Sequence, residues 1–186
     1  MTVFFINPFL EAAGGDFESI ATVTVGSGGA TNIEFTSIPG TYQHLQLRGL
    51  VKSASTGADS QWMWLQINGD TASNYNSHHL YGTGASAVAT NNSSDAIRVA
   101  GAVRSSAASQ IFSAYVVDIL DYANTSKNTT TRAFGGWDSN NTTTGVVWVT
   151  SGLWRSTSAV TSLKFGIIVE DFTQHSTWAL YGVKAP

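Results

Sequence analysis

Alternation of apolar and polar residues along most of the chain restricts its fold more than any other sequence feature. Within residues 62–67, Met63, Leu65 and Ile67 occupy every second position, and residues 163–169 repeat the same spacing. Successive side chains of a strand point to opposite faces, so this period predicts strands with one buried face. No segment shows a comparably long helical period.

Composition points to the same class of structure. Charged residues make up only 11% of the 186 residues, and Ser, Thr, Asn and Gly supply most of the polar character. This mixture favours strands and turns over helices. We therefore predict a single all-β domain over residues 16–186, an antiparallel, jelly-roll-like β-sandwich of about nine or ten strands. Residues 71–95 are expected to be mostly loop, with a short strand near residues 79–81.

The segment from Ser176 to Lys184 is predicted to be the final strand. It alternates in character and has an aromatic residue, Trp178 or Tyr181, towards each end of its apolar centre. An unpaired apolar strand of this kind would expose a sheet edge that is prone to aggregate. We therefore expect it to be held inside a sheet.

Charge and cysteine content exclude several classes of partner and site. The net charge is −3 and there is no basic stripe, so we expect no nucleic-acid partner. Cysteine is absent, which rules out disulfides and thiolate chemistry. The longest apolar runs are far shorter than the roughly 20 residues that span a bilayer, so we expect no membrane partner.

Residues 1–15 are predicted to form a short apolar arm. No Lys or Arg precedes the apolar run, and Asn7-Pro8 interrupts it, which favours an arm that docks on a partner over a secretory signal. The candidate docking residues are Val3, Phe4, Phe5, Ile6, Phe9 and Leu10.

Two predicted strands carry apolar residues on both faces, whereas an isolated sandwich leaves its outer faces in water. They are the strand around Trp62 and Trp64, and the segment 111–120, which contains Tyr115. Burial in an oligomer explains such strands, and so does burial in the middle of the fold. We take Trp62, Trp64 and Tyr115 as the candidate oligomer interface.

No motif predicts catalysis or a bound cofactor. The four histidines lack the spacing of a metal site, the carboxylates show no marked pair, and no G-x-S-x-G sequence occurs. We therefore expect a protein that is not an enzyme, without catalytic residues, cofactor or metal. The oxygen-rich segment 68–75 could hold calcium, but it lacks the twelve-residue loop pattern. A hydrogen-bonded turn capped by Asn68 and Asp70 is the preferred interpretation.

Exposed tryptophans can stack on sugar rings, and buried ones fill cores or interfaces. Trp137 lies next to an Asn- and Thr-rich stretch that contains Asn140. These two residues are the candidate glycan contacts of an alternative, receptor-binding function.

Three separated phrases resemble a known family. They are IEFTSIPGTYQHLQLRG (33–49), QINGDTASNY (66–75) and WALYGVK (178–184). In this order they resemble virion surface proteins of tailed bacteriophages, including cyanophages, and the similarity runs over most of residues 19–184. Members of that family are jelly-roll or β-sandwich modules that form trimers. Some are capsid decoration (cement) proteins and others are outer parts of tail fibres.

The resemblance implies a structural role on the outer surface of the virion. The chain shows no fibre shaft or tail-attachment domain, so we expect the head rather than the tail. The expected partners are the major capsid protein and further copies of the chain in a homotrimer. The alternative is a tail-fibre or receptor-binding tip that recognises host surface glycan.

Overall fold

The computed structural model describes residues 16–57, 60–139 and 145–184. Those ranges form an all-β structure of twelve strands in one mixed sheet, without an α-helix. None of the described residues belongs to a helix long and apolar enough to cross a membrane. The strands are β1 (Phe17–Thr24), β2 (Asn32–Phe35), β3 (His44–Ser53), β4 (Ser60–Ile67), β5 (Tyr75–Gly82), β6 (Ala87–Ser94), β7 (Ile97–Arg104), β8 (Ser113–Leu120), β9 (Thr129–Asp138), β10 (Gly145–Trp154), β11 (Leu163–Ile167) and β12 (Thr177–Val183).

The sheet consists of two antiparallel sections. Eight strands follow the order β1-β12-β3-β8-β9-β10-β5-β6, which we call the eight-strand section. Four strands follow the order β2-β11-β4-β7, the four-strand section. A short parallel pairing of β3 with β7 joins them, Lys52 opposite Val103 and Ser53 opposite Arg104. This single parallel contact makes the sheet mixed.

The core lies where the two sections pack on each other. Phe165 of β11 stacks on Trp178 of β12 with ring centroids 4.7 Å apart. On the other side of the core, the Thr150 hydroxyl of β10 donates to the Val99 carbonyl of β7 at 2.7 Å. The inward residues of the alternating pattern are fully buried, as at Leu65. The predicted period-2 core is therefore confirmed.

The final strand is held as predicted. β12 pairs with β1 on one side and with β3 on the other, and Trp178 is completely buried. Its pairing removes the exposed apolar edge that an unpaired terminal segment would present.

Two predictions about local structure are wrong. The structure has twelve strands rather than nine or ten, because residues 71–95 contain the hairpin of β5 and β6. Among the described strands, β6 (AVATNNSS) pairs with β5 alone, at the edge of the sheet. Its largely polar residues give it no apolar face and no visible alternation. The inward run of β11 also ends at Ile167, and Val169 is 70% exposed.

Candidate functional site

Large apolar side chains stand exposed on the outer face of the eight-strand section. Val116, Phe134, Val149 and Leu80 lie opposite one another across β8, β9, β10 and β5, and form a continuous row. Phe134 is 60% exposed. We call the apolar face the six exposed residues Leu50, Leu80, Val116, Phe134, Val147 and Val149.

A groove runs beside this row. In the neighbouring row, Leu50 of β3 lies opposite Ala114, which lies opposite Gly136, which lies opposite Val147. The small residues Ala114 and Gly136 form the floor of a groove of about 730 Å³ with almost entirely apolar walls. A Cβ on Gly136 would come within 2.1 Å of the Val146 carbonyl oxygen, so the backbone packing keeps this position a glycine.

A single cation, Arg48 of β3, stands at one end of the groove. Its guanidinium lies 5.5 Å from the ring centroid of Phe17 and 5.1 Å from that of Tyr181. Its Nε donates to Gln46 Oε1 at 2.9 Å. These contacts hold a positive charge beside an otherwise apolar surface.

A polar row borders the apolar face on its other side. Asp118 accepts from Gln46 Nε2 at 2.9 Å and from Arg132 Nε at 2.7 Å, across β3, β8 and β9. Asp118 is thus the paired carboxylate of an otherwise apolar strand. The apolar face is therefore bordered by the guanidinium of Arg48 at one end of the groove and by this polar row along one side.

The size of the apolar face distinguishes it from the scattered apolar residues of an ordinary surface. From their exposed fractions, the six side chains leave on the order of 500 Å² open, near the upper end of the largest patch on a typical monomer. The largest apolar patch on a monomer is often functional.

Comparison of the chain with protein-family models, with curated proteins and with solved structures finds no match.

The structure separates the three residues of the predicted oligomer interface. Tyr115 is buried within the single chain, where its hydroxyl donates to the Gly101 carbonyl at 2.7 Å. Burial raises the pKa of this phenol. Tyr115 is therefore a core residue, and its assignment to the interface is corrected. Trp62 and Trp64 are half-buried on β4, outside the apolar face.

Contacts within the single chain cover much of both tryptophans. Trp62 meets His79 at 4.9 Å and Trp148 at 4.7 Å between ring centroids. Trp64 lies over Gly166, where a Cβ would come within 2.1 Å of its ring. β8 has apolar residues on both faces, and its exposed large apolar residue is Val116. Val116 belongs to the apolar face.

The remaining predicted contacts fall in different places. Trp137 is half-buried and contributes to the wall of the groove. Asn140 and the arm residues Val3, Phe4, Phe5, Ile6, Phe9 and Leu10 lie outside the described residues.

The turn after β4 is hydrogen-bonded. Asp70 accepts from the Trp154 indole at 2.7 Å, from Asn74 Nδ2 at 3.0 Å and from the Ala72 amide at 2.9 Å. The Trp154 contact is the main cause that lowers the pKa of Asp70. Asn68 instead accepts from backbone amides of the segment after β10. Among the described residues, no group of three or more His, Asp or Glu residues is placed to hold a metal.

His79 is a buried histidine with a defined tautomer. The Thr150 hydroxyl donates its proton to the Val99 carbonyl, so His79 Nδ1 must donate to Thr150 Oγ1 at 3.1 Å. In the described part of the chain, the buried Nε2 has no hydrogen-bond partner. Burial, aided by the nearby Arg98, lowers the pKa of His79 to about 4. The ring is therefore neutral at physiological pH and serves the core.

Proposed function

We propose that the protein is a non-enzymatic structural protein of a tailed-bacteriophage virion, a homotrimeric decoration (cement) protein with a jelly-roll sandwich fold that stabilises contacts between capsomers. The observation that carries this proposal is the apolar face. A surface of this kind is costly to leave in water, and an assembly that covers it recovers the cost.

The free energy gained by burying the apolar face supports assembly of several copies rather than a small contact. Burying about 500 Å² of apolar surface contributes on the order of 10 kcal/mol before the costs of association. Association itself costs about 4–15 kcal/mol, which offsets most of this gain, so one face alone gives moderate affinity. In a closed ring every copy contributes such a contact, which makes the oligomer stable at the high local concentration of a virion surface.

Attachment to the major capsid protein is assigned to the apolar arm of residues 1–15. Three arms on one trimer bind together, so weak individual contacts combine into tight binding. A variant lacking residues 1–15 is expected to lose binding to purified capsids while remaining a trimer. Truncated protein that still decorates capsids contradicts the role of the arm.

Position on the particle is the most direct test of the function itself. Gold-labelled antibody against the protein, viewed on intact virions of the phage that encodes it, is expected on the head. Label at the tail tip would instead favour the receptor-binding function. Absence of label from the particle surface would refute a virion role altogether.

One observation favours the receptor-binding alternative. The ring of Trp137 lines the groove, where it could stack on the apolar face of a sugar. Its indole nitrogen is buried, so it offers no hydrogen bond to such a ligand. A glycan array probed with the purified protein separates the two functions: binding that a Trp137→Ala substitution abolishes would support the alternative, and no binding counts against it.

A further inference from the structure

Two exposed apolar residues lie apart from the apolar face, on the segment that follows β11. Ile168 is 44% exposed and Val169 is 70% exposed. The Ile168 amide donates to the Trp62 carbonyl at 3.0 Å, and the Asp171 carbonyl accepts from the Ala54 amide at 2.8 Å. The segment is thus anchored on both sides of Val169. We call residues 168–170 the tip.

The symmetry of a trimer needs two different surfaces. A threefold ring is built from heterologous contacts, in which one patch of each copy meets a different patch of the next. The apolar face is one large patch, and the tip is a second, smaller one. An exposed pair of aliphatic side chains suits an apolar groove in chemical character.

Charge also matches between the two patches. Val169 is followed directly by Glu170, which is exposed. The groove ends at Arg48, whose guanidinium is held at the rim by the rings of Phe17 and Tyr181. The tip thus combines an aliphatic pair with a carboxylate, and the groove combines apolar walls with a guanidinium.

We propose that the tip of one copy inserts into the groove of the next copy around the threefold axis. Val169 and Ile168 would contact the floor at Ala114 and Gly136, and Glu170 would pair with Arg48 of the neighbouring copy. This inference rests on the trimer of the proposed function and names its interface.

The competing arrangement is a face-to-face pair. Two copies of the apolar face could meet about a twofold axis, with Phe134 of each entering the groove of the other. That arrangement gives a dimer and leaves Glu170 without a role. The two arrangements therefore differ in mass and in their dependence on Glu170.

The experiment is sedimentation equilibrium of the full chain and its variants. Three copies of the 19.7 kDa chain give about 59 kDa. The single reversals Arg48→Glu and Glu170→Arg, and the substitution Val169→Asp, are each expected to weaken the trimer by about tenfold or more. The double variant R48E/E170R is expected to restore most of the association, because the charges are exchanged.

Matched controls keep the result specific. Glu34→Arg makes the same change of charge as Glu170→Arg, at an exposed glutamate of β2 outside both patches, and is expected to leave the trimer intact. Circular dichroism checks that every variant is folded. If Val169→Asp is not folded, the two charge reversals and their combination decide the question.

The inference and the proposed function fail in different ways. A wild-type trimer that survives both reversals, or a double variant that does not recover, overturns the tip-to-groove contact and leaves the virion role standing. A wild-type dimer overturns the contact and the threefold arrangement together. A wild-type monomer at the highest attainable concentration removes the trimer from the proposed function as well.

Discussion

Replacing Gly49 by alanine tests how tightly β12 is packed into the fold. Gly49 of β3 lies opposite Trp178 of β12. A Cβ at Gly49 would stand 2.6 to 2.7 Å from three atoms of the indole ring, closer than real Cβ atoms approach. The ring cannot withdraw, because its other face stacks on Phe165 at 4.7 Å and the side chain is fully buried.

The cost follows from overpacking a closed core. Forcing one extra methyl group into a well-packed site typically costs about 1–3 kcal/mol. For a domain of this length each kcal/mol lowers Tm by roughly 2–4 °C, so Gly49→Ala is expected to lower Tm by about 2–12 °C. Thermal unfolding followed by circular dichroism, with urea titration at 25 °C, measures both quantities.

Two other glycines provide a matched series. A Cβ at Gly182 would come within 2.3 Å of the ring of Tyr42, which is only half-buried and not enclosed on its other face as Trp178 is, so a smaller loss is expected. A Cβ at Gly26 meets nothing within 4 Å, and Gly26→Ala is expected to be neutral or slightly stabilising. Equal stabilities for Gly49→Ala and Gly26→Ala would refute the packing argument.

Two further predictions concern a half-buried carboxylate and a buried histidine. Asp70→Asn keeps the size of the side chain but removes charge-assisted acceptance from Trp154, so the free energy of unfolding is expected to fall by about 2 kcal/mol in urea titration; an unchanged midpoint would contradict the role of this turn. His79 protonates near 6.5 when unfolded and near 4 when folded, so stability is expected to fall as pH decreases from about 6.5 to 4, by up to about 3 kcal/mol. His79→Asn retains a donor for Thr150 and is expected to lose that part of the pH dependence; a slope equal to that of the wild type would exclude His79 as its source.

Strand positions were predictable where one face is buried. At Met63, Leu65 and Ile67 every second side chain is completely excluded from solvent, as the period requires. The same alternation does not reveal an edge strand such as β6, which has no partner on one side and no apolar face. A local alternation pattern indicates a strand only where that strand contains apolar residues on one face.

Lys52 shows a second limit of local pattern. Alternation along β3 places it on the polar side with Gln46 and Arg48, but the structure buries it. Its Nζ donates to the carbonyls of Ala107 at 3.0 Å and Ala108 at 2.7 Å, more than fifty residues away. Burial lowers the pKa of this amine. A contact with distant backbone carbonyls leaves no signal in the residues around the lysine.

By itself, then, the sequence determined the all-β class, the inward residues of most strands and the pairing of the final strand, because period-2 burial is a local property. It also indicated that β8 carries apolar residues on both sides. Only the tertiary structure decided which of those sides faces the core: it buries Tyr115 and Val117 and leaves Val116 in the apolar face. That choice, and the meeting of Val116 with Phe134, depends on which strands become neighbours, and strand order is set by contacts between distant parts of the chain.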